Sequence, residues 1–524
     1  MTEAVFDLSV EYLGAGPDDP AATAKFLTKD EQKILQNLRS QIMSHQRGNK
    51  TKNSYYEASQ VVKHLDIAVP RNLTDIGTAV GWAGTTVDAL DERVDWLGWV
   101  TDDGNVDGLD EVYWENDLQA ESNYQQVDSL TTGVSFVSVG NEAFDILGNP
   151  LTDAGRQIIA VESSSTASVI WDYRKRRSIA GLSQTCDDNG NVVMETLYLE
   201  MANIVFARDP ISGAMDLVSR DQHNIGRCFM TRFPNRSRPA QPYGRSEISR
   251  AVRYYTDAAV RTMLGMEVNR EFYTAPQRFV LNAKPEDFGV TEGMSAEEKY
   301  RRGLAVAMGM INVVPPRPDN TEGDPPAVVE FKPAPPTPFI EQVKAYSIQM
   351  SAETGLPAET FGFITDNPTS GDAIVKGDFR LTRRATRRIS TWGAGWREVG
   401  LLVLLARDGD ADVDFIKRLR SKYRNPMIPT PAATADKLQK YVASQILVPD
   451  SNVTYELMEE LDERQIAQLK KDKTAYEAKQ QRKAMMEAEI AAAANPPPTD
   501  NPGGVQGVGG GGKPSTQKKP SDGS

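Results

Sequence analysis

The segment GRSEISRAVRYYTDAAVRTMLGMEVNREFYTAPQRF, residues 244–279, is the strongest constraint on what this chain can fold into. It leaves a Pro-Tyr-Gly turn and keeps helical spacing up to a proline, which predicts one helix over residues 246–275. At roughly 1.5 Å per residue such a helix is about 45 Å long, more than a small domain is wide. Another element, or another subunit, must cover part of it. Ile248, Val252, Tyr255, Ala259, Met263 and Met266 line one side and form the expected buried ridge. Arg253, Asp257 and Arg261 recur at every fourth position on a wetter side, as a ladder of opposite charges. Identical helices set side by side in a ring would cover the remainder, with tyrosines and methionines as adaptable contacts.

A longer helix is expected over residues 373–406. Lys376, Arg380, Arg383, Arg384, Arg387 and Arg388 fall on one of its faces, while Ile374, Leu381, Ala385, Trp392 and Trp396 make a core stripe. A face of cations repels itself unless something negative lies opposite, and no acid interrupts this one before Glu398. Two partners fit: a phosphate backbone, or an acidic surface on a neighbouring subunit. The chain can supply the second, because its 524 residues carry a net charge of −13. The same charge argues against wrapping nucleic acid by bulk attraction.

Around these helices the pattern changes by region. Residues 1–28 read as an acidic arm, 29–98 as helical, and 99–240 as β-rich, with short β-branched runs between Gly, Asn and Asp turns. Strands are expected in QRFVLNA and MINVVPP, ahead of a proline-dense stretch and a helix over 339–355. Residues 432–494 are again helical. Residues 495–524 hold too few apolar side chains to offset the entropy of ordering, so they are expected to be disordered. With only Cys186 and Cys228 there is neither a disulfide framework nor a cysteine metal cluster, which fits a reducing compartment. The N-terminus lacks a basic region ahead of an apolar one, so no signal peptide is expected. The longest apolar run, VGLLVLLA, is too short to span a membrane.

Chemical motifs are weak. GVGGGGKP at 507–514 misses the phosphate-loop pattern, because Pro514 stands where a hydroxyl residue is needed. Asp103, Asn105, Asp107 and Gly108 match the first half of a calcium loop, but Trp114 occupies the place of its bidentate glutamate. An acidic surface turn is the preferred reading of 103–115, and metal binding there stays open. His45, His64 and His223 form no metal-ligand pair. No catalytic residue, metal or cofactor is expected.

PYGRSEISRAVRYYTDAAVRTMLGMEVNREFYTAPQRFVL, DIAVPRNLTDIGTAVGWAGTTVDALDERVDWLGW and AETGLPAETFGFITDNPTSGDAI together resemble portal proteins of long-tailed bacteriophages, of the kind infecting actinobacteria. The resemblance spans roughly residues 30–470. It implies an α+β portal fold: an arm (1–28), a wing (29–245), a first stem helix (246–275), a clip (276–336) and a second stem helix (337–356). A tunnel loop (357–372), a long wing helix with its return (373–425), a helical crown (426–494) and the tail follow. Phe361, Gly362, Phe363, Ile364, Thr365, Asp366, Asn367, Pro368, Thr369, Ser370 and Gly371 would narrow a channel for double-stranded DNA. The resemblance further implies a dodecameric ring at one capsid vertex, assembled in the host cytoplasm and carried in the virion. Its partners would be terminase, a head-completion adaptor, and the major capsid and scaffolding proteins. The alternative is another head-structural protein, such as a minor capsid or connector component. A nuclease or protease of the head module ranks third.

Overall fold

In the computed structural model the described residues are 26–63, 77–142, 155–274, 278–284, 287, 291, 293–301, 311–314, 325, 327–330, 335–362, 371–427, 431–449, 451–458 and 463–494. The expected arm up to residue 25, the tail 495–524 and, in the expected tunnel loop, residues 363–370 lie outside them. The chain divides into two compact units, Met1–Ile428 and Pro429–Ser524.

The first unit opens with α1 (Lys29–Tyr56). Thr28 starts it with a capping box: its hydroxyl accepts from the Glu31 amide, and Glu31 accepts from the Thr28 amide. There follow α2 (Trp82–Asp91), β1 (Trp96–Val100), α3 (Leu109–Glu115), α4 (Leu118–Thr132), β2 (Val134–Asn141) and β3 (Gln157–Ser163). Then come β4 (Ala167–Asp172), β5 (Arg177–Cys186), β6 (Val192–Leu199), β7 (Asn203–Arg208), β8 (Met215–Asp221) and β9 (Met230–Pro234). Strands β4 to β8 form an antiparallel meander, and β3, β2 and β9 form a second antiparallel sheet. Leu35, Leu38 and Ile42, one side of α1, bury against Leu182, Leu197, Ile204 and Phe206 of the meander. Alternation of apolar residues along β6 and β7 places these side chains on a single face.

The β-rich expectation for 99–240 needs correction at its start, where α3 and α4 stand. The hidden side of α4 includes Ser122, Gln125, Gln126 and Ser129, so it carries no apolar stripe to betray a helix. Several of its polar groups find partners on β2 and β9: the Gln125 backbone carbonyl accepts from the Ser135 hydroxyl, and the Ser129 hydroxyl donates to the Phe233 carbonyl at 2.6 Å. β1 likewise begins inside the stretch expected to be helical, pairing antiparallel with a strand from far along the chain.

Next are α5 (Arg250–Thr274), a mixed sheet of β10 (Arg278–Leu281), β11 (Ile311–Val314) and β12 (Ala327–Glu330), and α6 (Thr337–Thr354). β10 is central, parallel to β11 and antiparallel to β12. α5 starts at Arg250, not at residue 246 as the spacing suggested. Residues 246–249 are drawn aside by the contacts of Glu247 described below. α5 and α6 run antiparallel, since Ser249 Oγ lies 3.2 Å from Glu353 at one end and Gly265 faces the Phe339 ring at the other. Of the ridge, Ile248, Val252 and Ala259 are buried, and Met263 and Met266 half-buried. Ala258, Val260 and Leu264 are buried too, so much of α5 is enclosed within its own chain. The charge ladder is not formed as expected. Both carboxylate oxygens of Asp257 accept from the Tyr55 hydroxyl, at 2.9 and 2.8 Å, and Arg253 lies over the Tyr55 ring. Burial first, and then Asp257, push that tyrosine up to about 12.

α7 (Gly371–Asp408) is the axis of the core, and α8 (Val413–Arg418) and β13 (Arg420–Tyr423), the partner of β1, return along it. Leu381, Ala385, Trp392 and Trp396 are buried, as the stripe predicted. Trp96 stacks on Trp396 with ring centroids 3.9 Å apart and planes 12° from parallel. Trp99 Nε1 donates to the Trp396 carbonyl at 2.7 Å. Two glycines let rings press on the helix backbone. A Cβ at Gly395 would sit 2.7 Å from a ring carbon of Phe233, and one at Gly400 would sit 2.8 Å from Trp99 Nε1.

The second unit contains α9 (Pro431–Ala443), α10 (Asn452–Glu456) and α11 (Glu463–Ala494). Leu438 and Tyr455 are buried there, while Tyr476, Met485, Met486 and Ile490 of α11 are exposed.

Trp396 is wholly buried and touches three other aromatic side chains, Trp96, Trp99 and Phe233. Trp396→Ala should cost about 3–5 kcal/mol. Urea unfolding of the variant against the parent checks this, and a loss below ~1 kcal/mol would mean that the site collapses around the missing ring.

Candidate functional site

Glu247 is the most deeply buried carboxylate facing the arginines of α7, at 2% exposure. The residues that hold it arrive from four directions. α4 ends at Gly133, whose φ of +115° closes the helix, and its amide donates to the Ser129 carbonyl. The carbonyls left free at that helix end are met by the next strand-like passage. The Glu247 amide donates to Leu130 at 2.8 Å and the Ser246 hydroxyl to Thr131 at 2.6 Å. Asn235, directly after β9, donates its amide to the Gly133 carbonyl at 2.9 Å and accepts from the Arg245 amide at 2.7 Å. Gly244, at φ +75°, passes so close that a Cβ there would run into the carbonyls of Asn235 and Gly133. This is the physical content of the PYGRSE motif: a glycine turn brings one glutamate under the long helix.

Above it, Arg384 Nη2 and Arg388 Nη2 each take one oxygen of the Glu247 carboxylate, Oε2 and Oε1 respectively. Arg236 Nη1 adds a third contact at 3.4 Å. Asn235 links the parts: its Nδ2 donates to Glu247 Oε1 at 3.0 Å and its Oδ1 accepts from Arg388 Nε at 2.9 Å. Burial alone would push the Glu247 carboxyl up. The guanidiniums of Arg384, Arg388 and Arg236, with the Asn235 amide, outweigh it, and the net shift is downward. Arg388, 6% exposed, is lowered from its usual value by burial first, with Arg384 and Arg236 adding to the effect and Glu247 opposing it.

The expected cationic stripe is therefore divided. Arg384 and Arg388 are held inside the chain. Arg380 lies across the C-terminal turn of α6, its Nη1 3.5 Å from the Ala352 carbonyl, where the helix dipole favours a cation. Arg383 and Arg387 are exposed and have no carboxylate partner among the described residues. The side chain of Lys376 lies outside the description. Together the five arginines line a cleft of about 680 Å³, with Arg236, Ser237, Thr386, Ser390 and Thr391 as further donors and Glu353 on its rim. Guanidinium and hydroxyl donors on one surface are the chemistry that suits a carboxylate or another oxyanion. Sequence reading missed Glu247, Asn235 and Arg236. The available signal was an acid between a glycine turn and a helix, in a chain whose arginine stripe had no local counter-charge.

In the tunnel-loop segment, Phe361 is buried against Trp82 at a centroid distance of 5.8 Å, and Gly362 follows at φ +92°. Asp103 and Asp107, the calcium-loop candidates, pair with Arg418 and Arg407. Guanidiniums occupy the place a cation would take. Among the described residues no group of His, Cys, Asp and Glu is arranged to hold a metal. Among them, too, no helix is long and apolar enough to cross a membrane.

The family model described as phage portal protein, SPP1 Gp6-like, matches residues 44–489. The chain belongs to the phage portal protein family. It is 27% identical over 423 residues to the portal protein of Mycobacterium phage L5, covering 79% of this chain and 82% of that one. To the portal protein of Mycobacterium phage D29 it is 28% identical over 442 residues, covering 82% and 84%. The family match contains Glu247, Asn235 and every arginine of the cleft. Portal proteins are structural components of the virion, so the site is read for assembly rather than for turnover.

Glu247→Gln keeps the shape and leaves three guanidiniums facing a neutral amide. It should destabilise the protein by about 3–5 kcal/mol. The acid dependence should change as well. Because the folded carboxyl titrates below its ordinary 4.5, its contribution is complete above that pH and is lost as pH falls through the lowered folded value. Melting temperatures between pH 7 and pH 3, in parent and variant, check both points. A parallel acid limb in the two proteins would remove Glu247 as its source.

Proposed function

We propose that the chain assembles into a closed ring, a dodecamer, at one vertex of a phage capsid. There it forms the conduit for double-stranded DNA entering at packaging and leaving at ejection. The family match over residues 44–489 carries this reading. Two features of the chain support it. The antiparallel α5–α6 pair and the mixed β10–β12 sheet fit the roles of stem and clip, the clip being the platform for terminase and then for the head-completion adaptor. The net charge of −13 suits a passage through which DNA must slide, since a uniformly basic bore would hold phosphates and stall translocation. In this reading residues 357–372 border the channel, α7 runs from it into the wing, and the second unit forms the crown. The chain performs no catalysis; the energy of packaging comes from the terminase. Major capsid and scaffolding proteins surround the ring during assembly in the host cytoplasm.

Mass photometry and negative-stain microscopy of the purified full-length protein test the reading. The expected result is a ring of dodecamer mass with a central opening. Particles without an opening, or monomers across the accessible range of concentration and salt, would instead place the chain among other head-structural proteins.

A further inference from the structure

The arginine cleft has an unused side. Glu247 neutralises part of the charge of Arg384, Arg388 and Arg236, and the α6 terminus meets Arg380, but Arg383 and Arg387 project outward, spaced by four residues on α7. Elsewhere on the same unit stands the opposite pattern. Residues 102–117 contain seven carboxylates and no base: Asp102, Asp103, Asp107, Asp110, Glu111, Glu115 and Asp117. Asp103 and Asp107 are taken by Arg418 and Arg407, and the other five are exposed. On α3 the inward side is Leu109, Val112 and Tyr113. The outward side is Asp110, Glu111, Trp114 and Glu115, and Trp114 is 62% exposed amid the acids.

We infer that the arginine cleft of one copy receives the outward face of α3 from a second copy. Glu111 and Glu115, like Arg383 and Arg387, are four residues apart on a helix, so the two rows have matching spacing. Trp114 offers a flat ring on which a guanidinium stacks, and a solvent-exposed indole in a charged surface is the kind of anchor that interfaces bury. The two patches cannot meet within one chain. Arg407 holds Asp107 next to α3, and Arg387 stands about 30 Å back along α7 at roughly 1.5 Å per residue. Complementary patches at separate places on one molecule make a head-to-tail contact, which closes into a ring when its rotation allows. DNA phosphates are the less suitable occupant, because among the described residues only two arginines of the cleft are without a carboxylate or carbonyl partner, and Glu353 also lines it.

This inference rests on the ring reading, and the test separates the two. Three variants are compared with the parent by mass photometry over a salt series: Arg383→Glu/Arg387→Glu, Glu111→Lys/Glu115→Lys, and all four changes together. Circular dichroism melts taken below the concentration at which the parent assembles should be unchanged in all, since the four side chains are exposed in the single chain. Each double variant should need on the order of tenfold or more protein to form rings. The quadruple variant, with both signs exchanged, should recover them. An equimolar mixture of the double variants should also form rings, of alternating subunits, because the sound cleft of one meets the sound acidic face of the other and the two reversed faces match as they do in the quadruple variant. Unchanged assembly of either double variant, in a parent that forms rings, overturns the inference alone. Failure of the quadruple variant to recover overturns the pairing. A cleft variant that assembles normally but loses salt-dependent affinity for a short DNA duplex would make the cleft a phosphate site instead. A parent that forms no ring removes the functional reading itself.

Discussion

A single buried carboxylate sets the relation among the main parts of the first unit. Glu247 touches the end of α4 through its backbone, the exit of β9 through Asn235, and α7 through two arginines. A leucine could fill the same space, and buried ion pairs are often no more stabilising than apolar replacements. What the carboxylate adds is direction. Its two oxygens each require a donor, and these come from separate turns of one helix and from a third segment. Breaking the group is costly in either sense, because whichever partner remains is a bare charge in a dry place. The departure of residues 246–249 from helical geometry follows from the same requirement: α5 cannot begin until Glu247 has turned toward α7.

How much could be read beforehand depended on the range of the interaction. α1 was legible because its capping box and its Leu35, Leu38, Ile42 row are local. The meander strands were legible because alternation and turn residues mark them. The buried side of α7 was legible from Leu381 to Trp396, a strong stripe. α4 was not, since its hidden side is glutamine and serine that find partners only once β2 and β9 are in place. The arginine stripe was seen whole, but its division was not, because Glu247 lies 137 residues from Arg384 and 141 from Arg388. Repulsion within the stripe showed that a counter-charge was needed; nothing local showed that part of it came from the same chain.

The calcium-loop resemblance teaches the same lesson from the other sign. Asp103, Asn105 and Asp107 do fold into a turn, in which the Asn105 amide donates to the Asp103 carboxylate and the Asp107 amide to the Asn105 side-chain oxygen. Arg418 and Arg407 then arrive from the far end of the chain and take the cation's place. Spacing specified the turn, and tertiary structure chose what it binds.

The bare backbone at Gly395 and Gly400 has a consequence for α7 as a machine part. Phe233 and Trp99 lie in the gaps those glycines leave, like keys in the keyway of a shaft. Slipping the helix by one position would rotate it by about 100° and drive a side chain into each ring. The shaft is therefore indexed. Its angular setting is fixed by aromatic rings on one side and displayed as outward arginines at another point along its length. Copies built from the same sequence thus present those cations at the same angle, which rotational symmetry demands of its parts before any contact forms.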